Sequence, residues 1–297
     1  WFVAITYSFI FGAMFGDVGQ GLVLFLGGLF LYKTKKMDLA GIISCAGVFS
    51  VFFGFMYGSF FGFEDVLKAI WLKPMNQMMD VPLVGRLNAV FVIAIGFGMF
   101  IILICMVFNI INSIRRGDTE KTWFDSNAVA GLVFYGSIVL TIGLFISGKK
   151  LPAAAILVIM FGVPLLLMFL KEPLTNLVEK KSEILPEQKG MFFVQSFFEL
   201  FEVLLSYLSN TLSFLRIGAF AVSHAAMMEV VLMLAGATNG GSPNWIVVVL
   251  GNIFVCAMEG LIVGIQVLRL EYYEIFSRFY AGNGREFKPF MKAAHKN

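Results

Sequence analysis

Charge is the first thing this chain is short of. Only 14% of its 297 residues are Asp, Glu, Lys or Arg, against about 25% in ordinary soluble domains. It also holds just two histidines, three cysteines and eight prolines. Each shortage excludes a class of function. Cys45, Cys105 and Cys256 all stand inside apolar runs, so they read as packing residues and neither as a disulfide framework nor as a metal site. Basic clusters interleaved with aromatics are missing, which excludes a nucleic-acid surface; the net charge of +3 reflects loop lysines and arginines. No Asn-x-Ser/Thr acceptor occurs. Gly143 to Lys150 comes near a phosphate-binding loop but lacks its Ser/Thr and follows no strand. No cofactor or metal is therefore expected.

Apolar residues are what the chain has in plenty. They make up 59% of it, with 34 Phe and 30 Gly, and the mean hydropathy is +0.86. A soluble fold of this size has no room to hide so much apolar surface, whereas a bilayer accepts it. The runs are continuous over 18 residues or more and do not alternate every second residue, so they are helices and not strands of a barrel. The expected fold is all-α: a multi-pass protein of the cell membrane, a bundle of about seven to eight transmembrane helices. The lipid bilayer is its first partner. Trp1 leads straight into Phe2-Val3-Ala4-Ile5 with no charged stretch or cleavage site, so the start is not a signal peptide and the sequence is expected to begin partway through a longer protein.

Seven hydrophobic regions stand out, at about 1–32, 39–63, 88–112, 128–147, 151–170, 191–237 and 244–280. Lys33, Lys35 and Lys36 follow the first, and Arg115, Arg116 and Lys121 follow the third. Lys171, Lys180, Lys181 and Lys189 fill the stretch 171–190, and the C-terminus is basic. The positive-inside rule puts these four connections in the cytoplasm and the others, including Asn239 to Asn244, outside. Trp1 then falls outside if region one is a single span. Either a span precedes it, which is the preferred reading, or residues 1–32 form a hairpin broken at Gly16-Asp17-Val18-Gly19-Gln20-Gly21. The last two regions are too long for ordinary spans. Residues 191–237 are expected to start as an interfacial helix from Met191 to about Phe201, then continue as a long tilted helix, and 244–280 likewise tilts or projects. The chain thus divides into a bundle at 1–170, a charged cytoplasmic loop at 171–190, and two long helices at 191–297.

Those two helices carry arginine where it is costly. Insertion scales put a mid-span arginine at about +2.5 to +3.5 kcal/mol, so Arg216 and Arg269 need a reason. Running outward, the sixth region meets Glu199 and Glu202, then Ser206, Ser209 and Asn210, then Arg216, then His224 and Glu229. Running inward, the seventh meets Glu259, then Arg269, then Glu271 and Glu274. The arginines are expected at similar depth. Ten residues separate Glu259 from Arg269, about 15 Å of rise, and the two are expected to share roughly one face. Two polar ladders that meet at paired arginines look like two half-channels that end without joining.

The run from Asn210-Thr211-Leu212-Ser213-Phe214-Leu215-Arg216 to His224-Ala225 resembles the arginine helix of subunit a, or I, of rotary V/A-type ATPases. Glu259-Gly260-Leu261, Arg269, Glu274, Phe279 and Tyr280 resemble that family's last helix, and Phe15 to Gly21 its first-span signature. The character is closer to bacterial and archaeal members. The resemblance implies the stator of an ion-translocating ATPase working on H+ or Na+. Its partners would be a rotating ring of small hydrophobic subunits and the peripheral and central stalks, with nucleotide hydrolysis on other subunits. It implies a translocation role for Arg216, Arg269, Glu259, Glu229, His224, Glu202, Glu199, Ser209 and Asn210. Eukaryotic relatives carry histidine where Gln266 stands, so this position hydrogen-bonds here but does not titrate.

Plainer readings stand beside these. The arginines can snorkel or pair within the bundle, with Glu229 and Glu259 as neutralising partners. Glu199 and Glu202 can face headgroups. Asp17 can cap a helix break, and Gly54, Gly58 and Gly62 read as a small-residue stripe for close helix packing. A secondary transporter with its own substrate site is the alternative, but such folds repeat their helix breaks in two halves, and the break at 16–21 has no counterpart.

Overall fold

The computed structural model describes residues 2–63, 66–75, 77–81, 85–117, 119–149, 152–178, 189–237 and 243–280. The charged residues 179–188, most of the loop 238–244 and the basic C-terminus lie outside the described residues. Region one is two helices and not one span. α1 (Phe2–Met14) ends at the Phe15–Asp17 break, and α2 (Val18–Lys35) leaves in the opposite sense. The sense follows from α3 (Asp38–Tyr57), on which both lean. Phe9 packs edge-on against Phe49 and Phe53 while Gly16 abuts Tyr57, so α1 runs with α3. Gly28 lies on Ala40 and Ser44 while Gly54 lies on Val18, so α2 runs against it.

Gly54 lets α2 and α3 close tightly, and Gly58 ends α3. A Cβ on Gly54 would stand 2.3 Å from the Val18 nitrogen, which no side chain tolerates. Gly58, at φ +76°, caps α3 in the left-handed region. The expected glycine stripe is thus corrected: only Gly54 packs between helices, while Gly58 and Gly62 shape the loop that follows.

That loop leads to an antiparallel hairpin of β1 (Met78–Val81) and β2 (Gly85–Asn88), with Met78 opposite Asn88. Asn88 then caps α4 (Ala89–Arg116), its Oδ1 accepting from the Val90 amide at 3.0 Å. α5 (Thr119–Trp123) and α6 (Val129–Ile146) follow, and α7 (Ala154–Phe169) bends by 73° into α8 (Lys171–Val178). The last third is α9 (Lys189–Ser213), α10 (Leu215–Leu234) and α11 (Trp245–Leu270), continued by a π-helical turn at Glu271–Phe276 and by α12 (Ser277–Phe279). Five stretches among the described residues are long and apolar enough to cross a bilayer: Asp38–Tyr57, Ala89–Arg116, Val129–Ile146, Gly190–Leu234 and Trp245–Phe279. The bent α7–α8 pair makes six. α1 and α2 fall short of that measure, so the described residues hold five or six candidate spans against the expected seven to eight.

The sixth region shows no break near Phe201. α9 runs unbroken from Lys189, and the interruption falls instead at Phe214, two residues before Arg216. There the ladder tightens to three-residue bonds, Phe214 N to Thr211 O and Ile217 N to Phe214 O. Burial causes it: the fully enclosed Phe214 ring fills the notch that Gly98 leaves on α4. One core of buried side chains from α1, α3, α4, α6, α10 and α11 runs across the boundary at 170.

The ends of the bundle differ. Phe2 packs on Phe108 and Phe279, Asn112 donates to the Phe279 carbonyl, Arg278 donates to Asn127, and Lys171 pairs with Glu199. Because α1 and α3 run alike, the lysine-rich α2–α3 turn lies at this same end. The opposite end gathers Asp17, the 58–63 loop and the start of α11, with Phe63 against Trp245. The hairpin thus puts Phe2 at the basic end, where a single span would have put it at the other.

Candidate functional site

Polar residues on α9 and α10 form a single stripe. Glu202, Ser206, Ser209, Ser213 and Arg216 follow in steps of four, three, four and three, which keeps one helix face. The first three are exposed, and Ser213 and Arg216 half-buried, while Tyr207, Thr211, Phe214, Ile217 and Ala221 hold the opposite face in the core. Asn210 flanks the stripe, its Nδ2 donating to Ser206 Oγ at 3.2 Å. Glu199 stands off it, held in an ion pair by Lys171 of α8.

Arg216 on α10 and Arg269 on α11 lie within each other's electrostatic reach, and Glu274 acts on both. Arg216 Nη2 donates to Ser213 Oγ at 3.2 Å, whereas its Nη1 is buried without a partner. Arg269 is exposed, and Gln266, nearly one turn earlier, is half-buried. The arginines thus sit where the chain's own packing stops.

Glu259 does not share the face of Arg269. Ten residues at about 100° each leave them roughly 80° apart, enough to put one inside and the other out. Glu259 is 1% exposed and meets His224 of α10, Oε2 to Nδ1 at 2.6 Å. With Glu259 ionised, Nδ1 carries the proton and donates. Glu259 Oε1 and His224 Nε2 are buried and unpartnered. The Phe15 ring closes over the imidazole, 4.8 Å between centroids. A small cavity of about 20 Å³ reaches His224 from the 58–63 loop, walled by Tyr57, Ser59, Gly62 and Met228. Beside it Gln20 Nε2 donates to Asn252 Oδ1 at 2.8 Å. Glu229 is exposed, about 140° around α10 from His224, and does not join this pair.

The sequence reading named Glu271 and Glu274 beyond Arg269 without placing them in the core, and passed over Arg278. Glu271, Glu274 and Arg278 are 2%, 5% and 7% exposed. Arg278 Nη1 donates to Asn127 Oδ1 at 2.9 Å, and its guanidinium lies 5.8 Å from the centre of the Tyr207 ring. The pattern was present: Glu259, Val263, Val267, Glu271, Glu274 and Arg278 follow at helical spacing, and charged residues continuing a buried stripe signal enclosure.

Residues 171–292 match the V-type ATPase 116kDa subunit family. The chain is 28% identical over 329 residues to the A-type ATP synthase subunit I of Aeropyrum pernix, covering 97% of this chain and 46% of the relative. The A-type ATP synthase subunit I of Pyrococcus horikoshii is 27% identical, at 97% and 42%. The V-type ATP synthase subunit I of Borreliella burgdorferi is 25% identical, at 98% and 49%. The chain therefore spans about half the length of the curated relatives it matches. The family match takes in both arginine helices, and the chain is similar over nearly its whole length to proteins named subunit I of A-type or V-type ATP synthases.

Proposed function

We propose that this chain is the membrane stator of a rotary ATPase of the cell membrane, guiding H+ or Na+ through two half-channels against a turning ring of small carboxylate-bearing subunits. The carrying observation is the placement of Arg216 and Arg269 together at the edge of the packed core, between an exposed polar stripe and an enclosed His224–Glu259 pair. The stripe of Glu202, Ser209 and Asn210 serves as one wall of the cytoplasmic path, and the ring closes it. His224 and Glu259, entered through the cavity beside Ser59, serve as the outer path. Gln266 and Arg269 flank the seal. A fixed guanidinium within about 4–6 Å favours an ionised ring carboxylate, so the ring site gives up its ion before it passes. The same charge blocks a leak between the paths. Residues 191–297 face the ring, residues 1–170 brace them, and stalk subunits complete the stator and rotor. Glu199, paired with Lys171, and Glu229, turned away from His224, stand at the margins of this scheme.

Complete complexes carrying Arg216→Ala are expected to assemble and to lose ATP-driven ion transport. Arg216→Lys should fail in the same assay because ammonium lacks the planar donor fork. Near-normal pumping by assembled Arg216→Ala complexes refutes the scheme. Cysteines at the exposed Met37 and Val66 fix the sides: Met37 is expected to label only from the cytoplasm and Val66 only from outside.

A further inference from the structure

Arg216 has a support that the half-channel scheme does not use. Its Nη2 donates to Ser213 Oγ, and that hydroxyl donates in turn to Oε1 of Glu274. The three residues come from α10, the end of α9 and the π-helical turn, on either side of the helix break at Phe214. The far ends of this chain of bonds are open: Arg216 Nη1 and Glu274 Oε2 are both buried and unpartnered. One arm of the guanidinium is therefore held by the chain itself, while the other is enclosed with its donors unused.

The charge balance gives the support a second purpose. Glu274 lies within the field of both Arg216 and Arg269. Two cations against one anion leave a single net positive charge at the seal. A ring carboxylate that met two uncompensated arginines would be held too firmly to leave. One that met an unanchored guanidinium would find its donor fork turned at random, since the planar fork pairs well in few orientations.

We propose that Glu274, acting through the Ser213 hydroxyl, is the positioning residue for Arg216. It fixes the orientation of the guanidinium that the passing ring carboxylate meets, and cancels one of the two arginine charges so that the carboxylate can depart. This rests on the stator reading above.

The test uses complete ATPase complexes reconstituted in vesicles, carrying Ser213→Ala, Glu274→Gln or both. ATP-driven ion transport and passive ion flux without ATP are each measured per assembled complex. Each single change is expected to cut driven transport by about tenfold, the worth of one hydrogen bond to a charged group, and to raise passive flux because the seal is loosened. The double variant should be no worse than the worse single, since the two residues act in series. Glu274→Asp should recover part of the loss. Ser213→Ala removes one oxygen and serves as the gentle variant should Glu274→Gln fail to assemble. Unchanged transport and flux in assembled Ser213→Ala complexes overturn the proposal, as do losses that multiply in the double variant. Loss of transport with no rise in passive flux also overturns it, because Glu274 would then carry ions itself. If the proposal falls while Arg216→Ala remains inactive, the stator reading survives; active Arg216→Ala complexes remove both.

Discussion

Asp17 and Glu259 are both carboxylates sealed inside the chain, 0% and 1% exposed, yet the regions around them treat a buried charge in opposite ways. Asp17 Oδ1 accepts from the Gln20 and Phe61 amides at 2.9 and 3.0 Å, and Oδ2 from Ser59 Oγ and the Gly62 amide at 2.6 and 3.0 Å. Both oxygens are occupied, and the group caps α2 while it pins the 58–63 loop. Glu259 has one partner, His224, and an orphan oxygen. A charge surrounded by donors belongs to the scaffold, because its desolvation is repaid on the spot. One left half-satisfied costs stability and persists where an ion or water is to be handled.

Substitutions at these two places sharpen the contrast, and the largest effect belongs to Asp17. Asp17→Leu strands four buried donors at about 1–3 kcal/mol each, against a total stability of about 5–15 kcal/mol. Its expected outcome is a failure to accumulate, read as yield of assembled complex, with Asp17→Asn intermediate and pumping at a normal rate per surviving complex. Glu259→Leu should reverse that signature: complexes assemble with an unchanged melting temperature, but transport drops by about tenfold or more, as for a lost relay group. Glu259→Gln should lose less, since a polar amide still lines a wet path; equal activity of the two variants would place Glu259 in packing. The smallest effects belong to the outer faces. Glu202→Gln is expected to slow transport by about twofold, the worth of one half-screened charge. Glu229→Gln should matter less than Glu259→Gln, and a larger loss there would break the distinction drawn between their positions on α10 and α11.

Much of the fold was legible in the residues. Long apolar runs gave the spans, and the cost of Arg216 and Arg269 drew attention to the two helices on which the His224–Glu259 pair lies. What stayed hidden has physical causes. The reversal at Phe15–Asp17 was the less favoured of two readings because the run alone does not display the glycine contacts that let α1 and α2 lean on α3. The break at Phe214 depends on the notch at Gly98, more than a hundred residues away in sequence. The face shared by Glu259 and Arg269 failed on simple helical arithmetic. Arg278 went unnoticed because it lies beyond the apolar run, where a cation reads as a surface charge until Asn127 and Tyr207 close around it.

The exposed stripe on α9 has a consequence for the life of the subunit before assembly. A copy alone in lipid would turn Glu202, Ser209 and Arg269 toward acyl chains, and each charge at depth would cost about 2.5–3.5 kcal/mol. Water would follow these groups inward and thin the surrounding bilayer. A cover over these groups removes that cost, so the lone molecule is expected to be less stable than the covered one. Cells that overproduce this chain alone should clear it rapidly, and the rate of that clearance should fall as the stripe is made apolar.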